Sequence, residues 1–434
     1  MELGRSGGTT CRDDLSAIEG DHVMTLATMP TWLRYSERAF AFNFIAFSFV
    51  MFSCWFPTGF SGTFSTLAFL FALPIFLYRM RSVEFNRFEI VALALFGWLL
   101  LSVIWSDTSF LESLSYLSEY RIYFILPVLS MVLTLNEQTQ SWTFAAAMFG
   151  AFIALITSYG LGFGWWQIEG AQFSLANRIY HGFIMSSFLL ACLLIARETT
   201  GVIRGLFGIV ALLVVYNVLN VETGRTGYLQ VVFVCLTFAM LTFSRVRLCL
   251  ALAFAVILFG ASYLAFDRFH DRVNQTLGNV ERMVVSDDYH SSVGYRLEFY
   301  RNAIDVGLDY PLTGVGVGDV TRTLQSRAET GEVRLLTDNV HSEFMNMLMV
   351  GGIPALLLFF GFIVAIAYSG FVLRRQSGWL GDALIGLGVV IFVSALFNST
   401  IKDYGEKHAL LVMLSLLTAK LSTDRPKHYI KSVT

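Results

Sequence analysis

Charge is scarce in this chain, and the scarcity excludes more than any short motif asserts. Only 14% of the 434 residues are charged while 55% are hydrophobic, and the mean hydropathy is +0.62. A chain of that composition has lipid, not water, as its main solvent. The formal net charge of -2 supplies no basic footprint of the kind nucleic acid requires, so no nucleic-acid partner is expected. Cysteine is sparse as well. Of Cys11, Cys54, Cys192, Cys235 and Cys249, all but Cys11 lie within apolar runs and none forms a close pair. They read as small buried apolar residues, neither disulfides nor metal ligands. His270, His290, Asp287 and Asp288 have no spacing that fixes one coordination geometry. Neither a metal nor a cofactor is expected. Residues 1–30 lack an apolar h-region and a cleavage site, which excludes a signal peptide and leaves a disordered cytoplasmic tail reaching residue 35.

What the chain does contain is a succession of apolar runs, each close to the roughly 20 residues a helix needs to cross a hydrocarbon core of ~30 Å with its backbone internally bonded. They lie near 39–58, 61–78, 89–105, 121–136, 142–160, 179–196, 202–220, 227–243 and 247–265, and then near 352–373, 379–397 and 406–421. The expected fold is all-α and polytopic, with about twelve transmembrane helices. Residues 36–265 hold the first group, 266–351 form one large extramembrane loop, 352–421 hold the last group, and 422–434 are a second tail. The run 121–136 is short, and Gly160–Gly164 either extends the fifth helix or begins a re-entrant loop.

Basic residues choose the orientation. Arg34, Arg38, Arg79, Arg81, Arg87, Arg197, Arg204, Arg245, Arg247, Arg374, Arg375 and the C-terminal Lys420, Arg425, Lys427 and Lys431 fall on alternating connections. The positive-inside rule makes these cytoplasmic, with both termini, and turns the long loop outward. No inverted repeat or pair of Gly/Pro-broken spans marks a transporter's midplane site, and the centres of the spans are nearly free of ionisable groups.

The outward stretch from Phe266 to His341 carries eight arginines and no lysine. Within it, Leu297, Tyr300, Ala303 and Ile304 recur at helical spacing, so Gly294–Val306 is predicted to be an amphipathic helix carrying Arg296 and Arg301. Pro311, Gly314, Gly316 and Gly318 end it. The Gly314-Val-Gly-Val-Gly318 run lacks the strand and the acid of a dinucleotide site and the lysine of a P-loop, so it reads as a turn, with a backbone anion nest as the alternative. Asp338 or Asn339 is expected to cap the next helix and so to set His341 in its first turn. There the helix dipole favours a neutral imidazole, which can take a proton.

Each candidate also has a plainer reading. Arg225, in Thr223-Gly224-Arg225-Thr226-Gly227, is either a fork of donors for a phosphate or diphosphate or an anchor that snorkels to the headgroups. Arg296 is a second anion ligand, or a solvated residue paired with Glu298 or Asp305. His341 is a general base, or a histidine that caps and packs where the loop re-enters the bundle. Arg178 and His181 suit headgroup or substrate binding, and Lys402 and Asp403, on the last outer turn, are weaker candidates.

In order along the chain, Thr-Gly-Arg225-Thr-Gly, Tyr295-Arg296 through Ala303-Ile304 to Tyr310-Pro311-Leu-Thr-Gly314-Val-Gly316, Asn339-Val-His341-Ser-Glu-Phe and Gly351-Gly352-Ile353-Pro354 resemble the O-antigen ligase and polymerase superfamily of bacterial glycan enzymes. The likeness runs from about Val215 to Ala395; the first half matches only in hydropathy. It implies a GT-C-like, metal-independent inverting glycosyltransferase of the bacterial inner membrane with its active site facing the periplasm. The implied donor is an undecaprenyl-diphosphate-linked glycan and the implied acceptor a sugar of the lipid A core, among membrane lipids. His341 would be the base, and Arg225 and Arg296 the diphosphate ligands. Arg178, His181, Arg301 and Asp403 are secondary candidates, Asp403 standing nearest to an aspartate the superfamily often needs. A polymerase and a protein O-oligosaccharyltransferase share this donor logic; a lipid or solute transporter is the alternative of another class. The ligase is preferred to the protein-directed enzyme because the chain ends soon after the last expected span, without an added soluble domain.

Overall fold

A computed structural model describes residues 29–423 except 55–57, 170, 172–174, 176, 223, 287–289, 332, 334–335 and 338. Cys11, Asp287, Asp288 and the expected cap Asp338 lie outside the described residues. The chain runs through α1 (Thr31–Ser53), α2 (Thr58–Arg79), α3 (Arg87–Leu101), α4 (Phe110–Leu117), α5 (Ile122–Leu133), α6 (Glu137–Gly162), α7 (Arg178–Glu198) and α8 (Gly201–Tyr216). It continues through α9 (Arg225–Thr242), α10 (Arg245–Ala265), α11 (Asp267–Ser286), α12 (Ser292–Asp309), α13 (Val320–Glu329), α14 (Glu343–Leu373), α15 (Gly378–Phe397) and α16 (Tyr404–Thr423). Each apolar run of the sequence forms a helix over most of its described residues, and among the described residues the only extended pairing is the isolated Ile168–Ala171 bridge.

Among the described residues, eight helices are long and apolar enough to cross a membrane: α2, α3, α6, α7, α8, α9, α14 and α15. The pair α4–α5, bent by 48° at Arg121, makes a ninth if it is one broken span. The chain is thus an all-α, multi-pass membrane protein. α1, α10 and α16 occupy the other expected span positions; α1 carries Arg34, Glu37 and Arg38 near its start, and α16 carries Glu406, Lys407 and Lys420. Gly160 and Gly162 extend α6, which stops at Phe163 before the left-handed Gly164.

Burial sorts the spans. In α7 and α15, 72% and 67% of the apolar window is buried, against 28% in α8, whose Val202, Leu206, Ile209 and Leu212 face outward. α7 and α15 are therefore the centre of the bundle, and α8 is on its lipid-facing rim. The loop has its own small core of Ala303, Val306, Leu324, Val333, Val340 and Met349, laid on the first turns of α14.

Two features lock the loop to the bundle. Asp319, nearly fully buried, accepts from Ser106 Oγ at 2.7 Å, Asp107 N at 2.5 Å and Thr108 Oγ1 at 2.5 Å, tying the glycine turn to the α3–α4 connection. Gly314, Gly316 and Gly318 have φ of 63°, 91° and 102°, and the amides that follow are already used: Val315 N and Gly316 N donate to Met349 O and Val350 O, and Val317 N donates to Ser102 Oγ. The run is a docking turn. It is not an anion nest, because its N–H groups point into protein.

α12 begins two residues before its predicted start, capped by Ser291, whose Oγ accepts from Gly294 N at 3.1 Å. Its buried face differs from the predicted stripe. Glu298, Asn302, Ala303, Val306 and Gly307 face inward, while Leu297 and Ile304 are exposed. Close packing decides this: Gly307 sits against Leu348 of α14, where a Cβ would meet Leu348 Cγ at 2.4 Å, so the smallest residue, not the most apolar, sets the contact face. α11 and α13 also appear where the sequence reading placed no helix.

Candidate active site

Three successive turns of α12 organise the site. Ser292, Arg296 and Tyr300 are spaced by four residues and lie along one face, spanning about 12 Å of helix axis. At the first turn, Arg225 Nη1 donates to Ser292 Oγ at 2.7 Å. At the third, Tyr300 donates to the carbonyl of His341 at 3.1 Å and shares that hydrogen with Leu396 O at 3.0 Å. Arg296 stands between them. Arg225 and His341, 116 positions apart in the chain by their numbers, are thus joined through one helix.

The cationic end of this row is not internally neutralised. Arg272 of α11 and Arg296 both lie within electrostatic range of Arg225. Neither Arg225 nor Arg296 forms an ion pair among the described residues, and Arg225 Nε is buried without a hydrogen-bond partner there. The expected alternative for Arg296, pairing with Glu298 or Asp305, does not occur. Burial lowers the pKa of the Arg296 guanidinium, with Tyr300 opposing, so its charge is held at a cost that a bound anion would offset.

His341 is not in the first turn of α14. Ser342 is the N-cap, its Oγ accepting from Met345 N, and α14 starts at Glu343. His341 precedes the cap in the left-handed region, φ 52°, a conformation that costs a side-chain-bearing residue about 1–2 kcal/mol. Asn339 does not cap the helix either. Its Oδ1 accepts from His341 N at 2.9 Å and from Ser399 Oγ, and its Nδ2 donates to Asp403 Oδ1 at 2.9 Å. Strain held in place by several partners is the pattern of a pre-organised site. The imidazole lies beside Phe299, ring centroids 6.3 Å apart.

Asp403 therefore reaches His341 through Asn339 and does not itself contact it in the described network. Burial raises its pKa, with the Asn339 bond and the charges of Lys402 and Lys407 opposing. Arg178 and Arg225 open α7 and α9 side by side, because Gly182 and Gly227 let those helices touch: a Cβ on Gly182 would lie 3.1 Å from Gly227 Cα. Two helix N-termini and two arginines thus face the same region, which favours an anion. Arg178 pairs with Glu222 at 3.6 Å.

The other candidates fall elsewhere. His181 is wholly buried inside α7, its Nε2 3.0 Å from Asn217 Oδ1, while Asn217 Nδ2 donates to Ser158 Oγ at 2.9 Å. It cannot meet a headgroup; it pins the π-turn Asn217–Val221 that leads to Arg225. Arg301 is exposed on the far side of α12 with Leu297 and Ile304, away from the row of Ser292, Arg296 and Tyr300. Among the described residues no three of His, Cys, Asp and Glu gather as they would around a metal ion. The sequence reading missed Glu222, Arg272 and Tyr300. Only Tyr300, one turn after Arg296, left a trace, as part of the apolar stripe.

Residues 184–360 match the family described as O-antigen ligase, which supports the likeness to that superfamily. It contains Glu222, Arg225, Arg272, Arg296, Tyr300 and His341, and ends inside α14. No curated protein matches the chain.

Proposed function

We propose that this multi-pass membrane protein is an O-antigen ligase. It moves O-antigen glycan from undecaprenyl diphosphate to a sugar hydroxyl of the lipid A core, at the periplasmic face of the bacterial inner membrane. The observation that carries the reading is the row on α12: Arg225 held at its first turn, Arg296 on its second, neither in an ion pair among the described residues, and a strained His341 held at its third, the row spanning about 12 Å of helix axis. That span suits a diphosphate and the sugar attached to it.

In the proposed reaction the acceptor hydroxyl oxygen attacks the anomeric carbon of the donor sugar. The bond from that carbon to the phosphate oxygen breaks, and its electron pair leaves with the diphosphate. Arg225 and Arg296 meet the charge that develops there, in a partly buried setting where it is worth more than in water. His341 takes the hydroxyl proton. A single displacement inverts the configuration at the anomeric carbon. No step calls for a metal or a cofactor from these residues.

The test is the surface glycolipid of a strain lacking the protein. A ligase defect leaves bare lipid A core, with polymer accumulating on the polyprenyl carrier. Core bearing one repeat unit would instead identify a polymerase of the same superfamily, and an unchanged pattern would point to transport. His341→Ala should reduce transfer by ~10² to 10⁴ while the donor still binds. Full-length capped lipopolysaccharide from that variant would remove His341 as the base.

A further inference from the structure

Glu222 sits at the tip of the turn that delivers Arg225, only 2% exposed. Its N–H donates to Asn217 O at 2.9 Å, and its carbonyl accepts from Gly224 N at 2.9 Å, so its position is fixed by backbone. Its side chain is held much less firmly. Neither carboxylate oxygen accepts a hydrogen bond among the described residues, and its cation, Arg178, is 3.6 Å away with a side chain 41% exposed. A buried carboxylate is costly unless paired and hydrogen-bonded, and this one is paired loosely to an arginine that can turn outward. The same arginine lies beside Arg225, since Gly224 approaches the Arg178 carbonyl closely enough that a Cβ there would be 3.4 Å from it.

We infer that Glu222 is the resident counter-ion of the site: it holds Arg178 until the donor arrives, then yields Arg178 to the diphosphate and takes up one proton from solvent. This rests on reading the arginine cluster as the diphosphate site. A phosphate oxygen offers Arg178 charge-assisted bonds of about 2.7–2.9 Å in place of a contact too long to be a hydrogen bond. Once Arg178 has turned, Glu222 is a buried carboxylate next to a new anion, and the proton removes that conflict.

The groups around Glu222 agree with the direction. Arg178 of α7 faces it; Cys54, at the end of α1, and Tyr228 of α9 feel its charge, with Arg225 and Arg272 acting on Tyr228 from beyond, and Glu406 of α16 acts on Cys54 as Glu222 does. α6 contributes the hydroxyl of Ser158 to the same turn. Burial raises the Glu222 pKa to about 7 even with Arg178 pulling it down. An anion in the site and the loss of Arg178 both push it higher. Donor binding is therefore linked to proton uptake: affinity is greatest below the donor-free pKa and falls as pH rises through it, by up to about tenfold per pH unit.

The test uses the full chain in detergent or nanodiscs and a short-chain polyprenyl diphosphate sugar, whose diphosphate is ionised throughout the neutral range. Between about pH 7 and about pH 8.5 the wild-type affinity should fall roughly tenfold or more. Glu222→Gln keeps the shape and removes the charge; its affinity should be flat with pH and tighter than wild type at the upper end. Should that variant fail to fold, calorimetry of the wild type in buffers of different ionisation heat counts the protons directly, and near one proton per donor is expected on the alkaline side. Equal pH slopes in both proteins, or no proton uptake, would overturn the counter-ion role and leave the diphosphate site standing. A wild type that does not bind the probe at any pH would bring down the diphosphate reading itself.

Discussion

A backbone angle is the most telling property of His341. Left-handed φ at a side-chain-bearing residue persists only where neighbours over-determine it, and here Asn339 holds the amide while Tyr300 holds the carbonyl. Asn339 in turn is steadied by Asp403 and Ser399. This makes Asn339 and Asp403 positioning residues in the proposed reaction, and their substitutions separable. Asn339→Ala should lower kcat about tenfold or more with little change in donor affinity, because it releases the histidine and touches no phosphate ligand. Asp403→Asn still offers an acceptor to Asn339 Nδ2 and should keep most activity, whereas Asp403→Ala should behave like Asn339→Ala. Equal loss in both Asp403 variants would show that the charge matters, not the hydrogen bond; kcat and KM measured separately decide it.

Among the elements, α14 is the one whose interruption matters. Gly352 has φ 69° and ψ -164°, a conformation open in practice only to glycine, and Pro354 follows where no N–H is available to bridge the break. The break lets the first two turns of α14, which follow His341, take a direction of their own. It also receives the loop: a Cβ on Gly352 would lie 2.7 Å from Pro311 O and 2.9 Å from Gly314 N, and Ile353 N donates to Pro311 O at 2.8 Å. Gly352→Ala should therefore cost about 1–3 kcal/mol from backbone strain alone, and more from displacing the glycine turn. A lower detergent melting temperature, together with faster proteolysis in the loop, is the expected result. A variant as stable as wild type would mean that the turn moves aside freely.

At the scale of the whole molecule, the site lies where the first half of the chain grips the second. Asp319 is held by Ser106, Asp107 and Thr108, and Trp98 Nε1 donates to Gly351 O at 2.8 Å. α3 and the turn after it thus form a fixed platform for the glycine turn and for α14, although they contribute no arginine or histidine to the site. Arg301, exposed on α12, and Arg204, in the first turn of α8, are expected on opposite faces of the membrane. Single cysteines at those positions, in a background without other reactive thiols, should react with an impermeant maleimide from the periplasm at 301 and only after permeabilisation at 204. Labelling of both from one side would overturn the orientation.

Apolar runs of bilayer length determine an all-α membrane protein without any help from tertiary contacts, because in lipid each span must satisfy its own backbone and so declares itself in local composition. The arginine-rich loop, its α12 helix and the candidacy of Arg225, Arg296 and His341 were legible for a similar reason: charge and punctuation stand out against an apolar background. Which of those residues meet was not written locally. Arg225 reaches Ser292 and Tyr300 reaches His341 across separations of 67 and 41 positions, and such pairings depend on which helix faces which. The same holds for the cap at Ser342, and for the burial of His181 and the exposure of Arg301, the last two on helices packed closely through Gly182 and Gly307. Close packing rewards fit between distant segments, and fit is a property only the assembled bundle has.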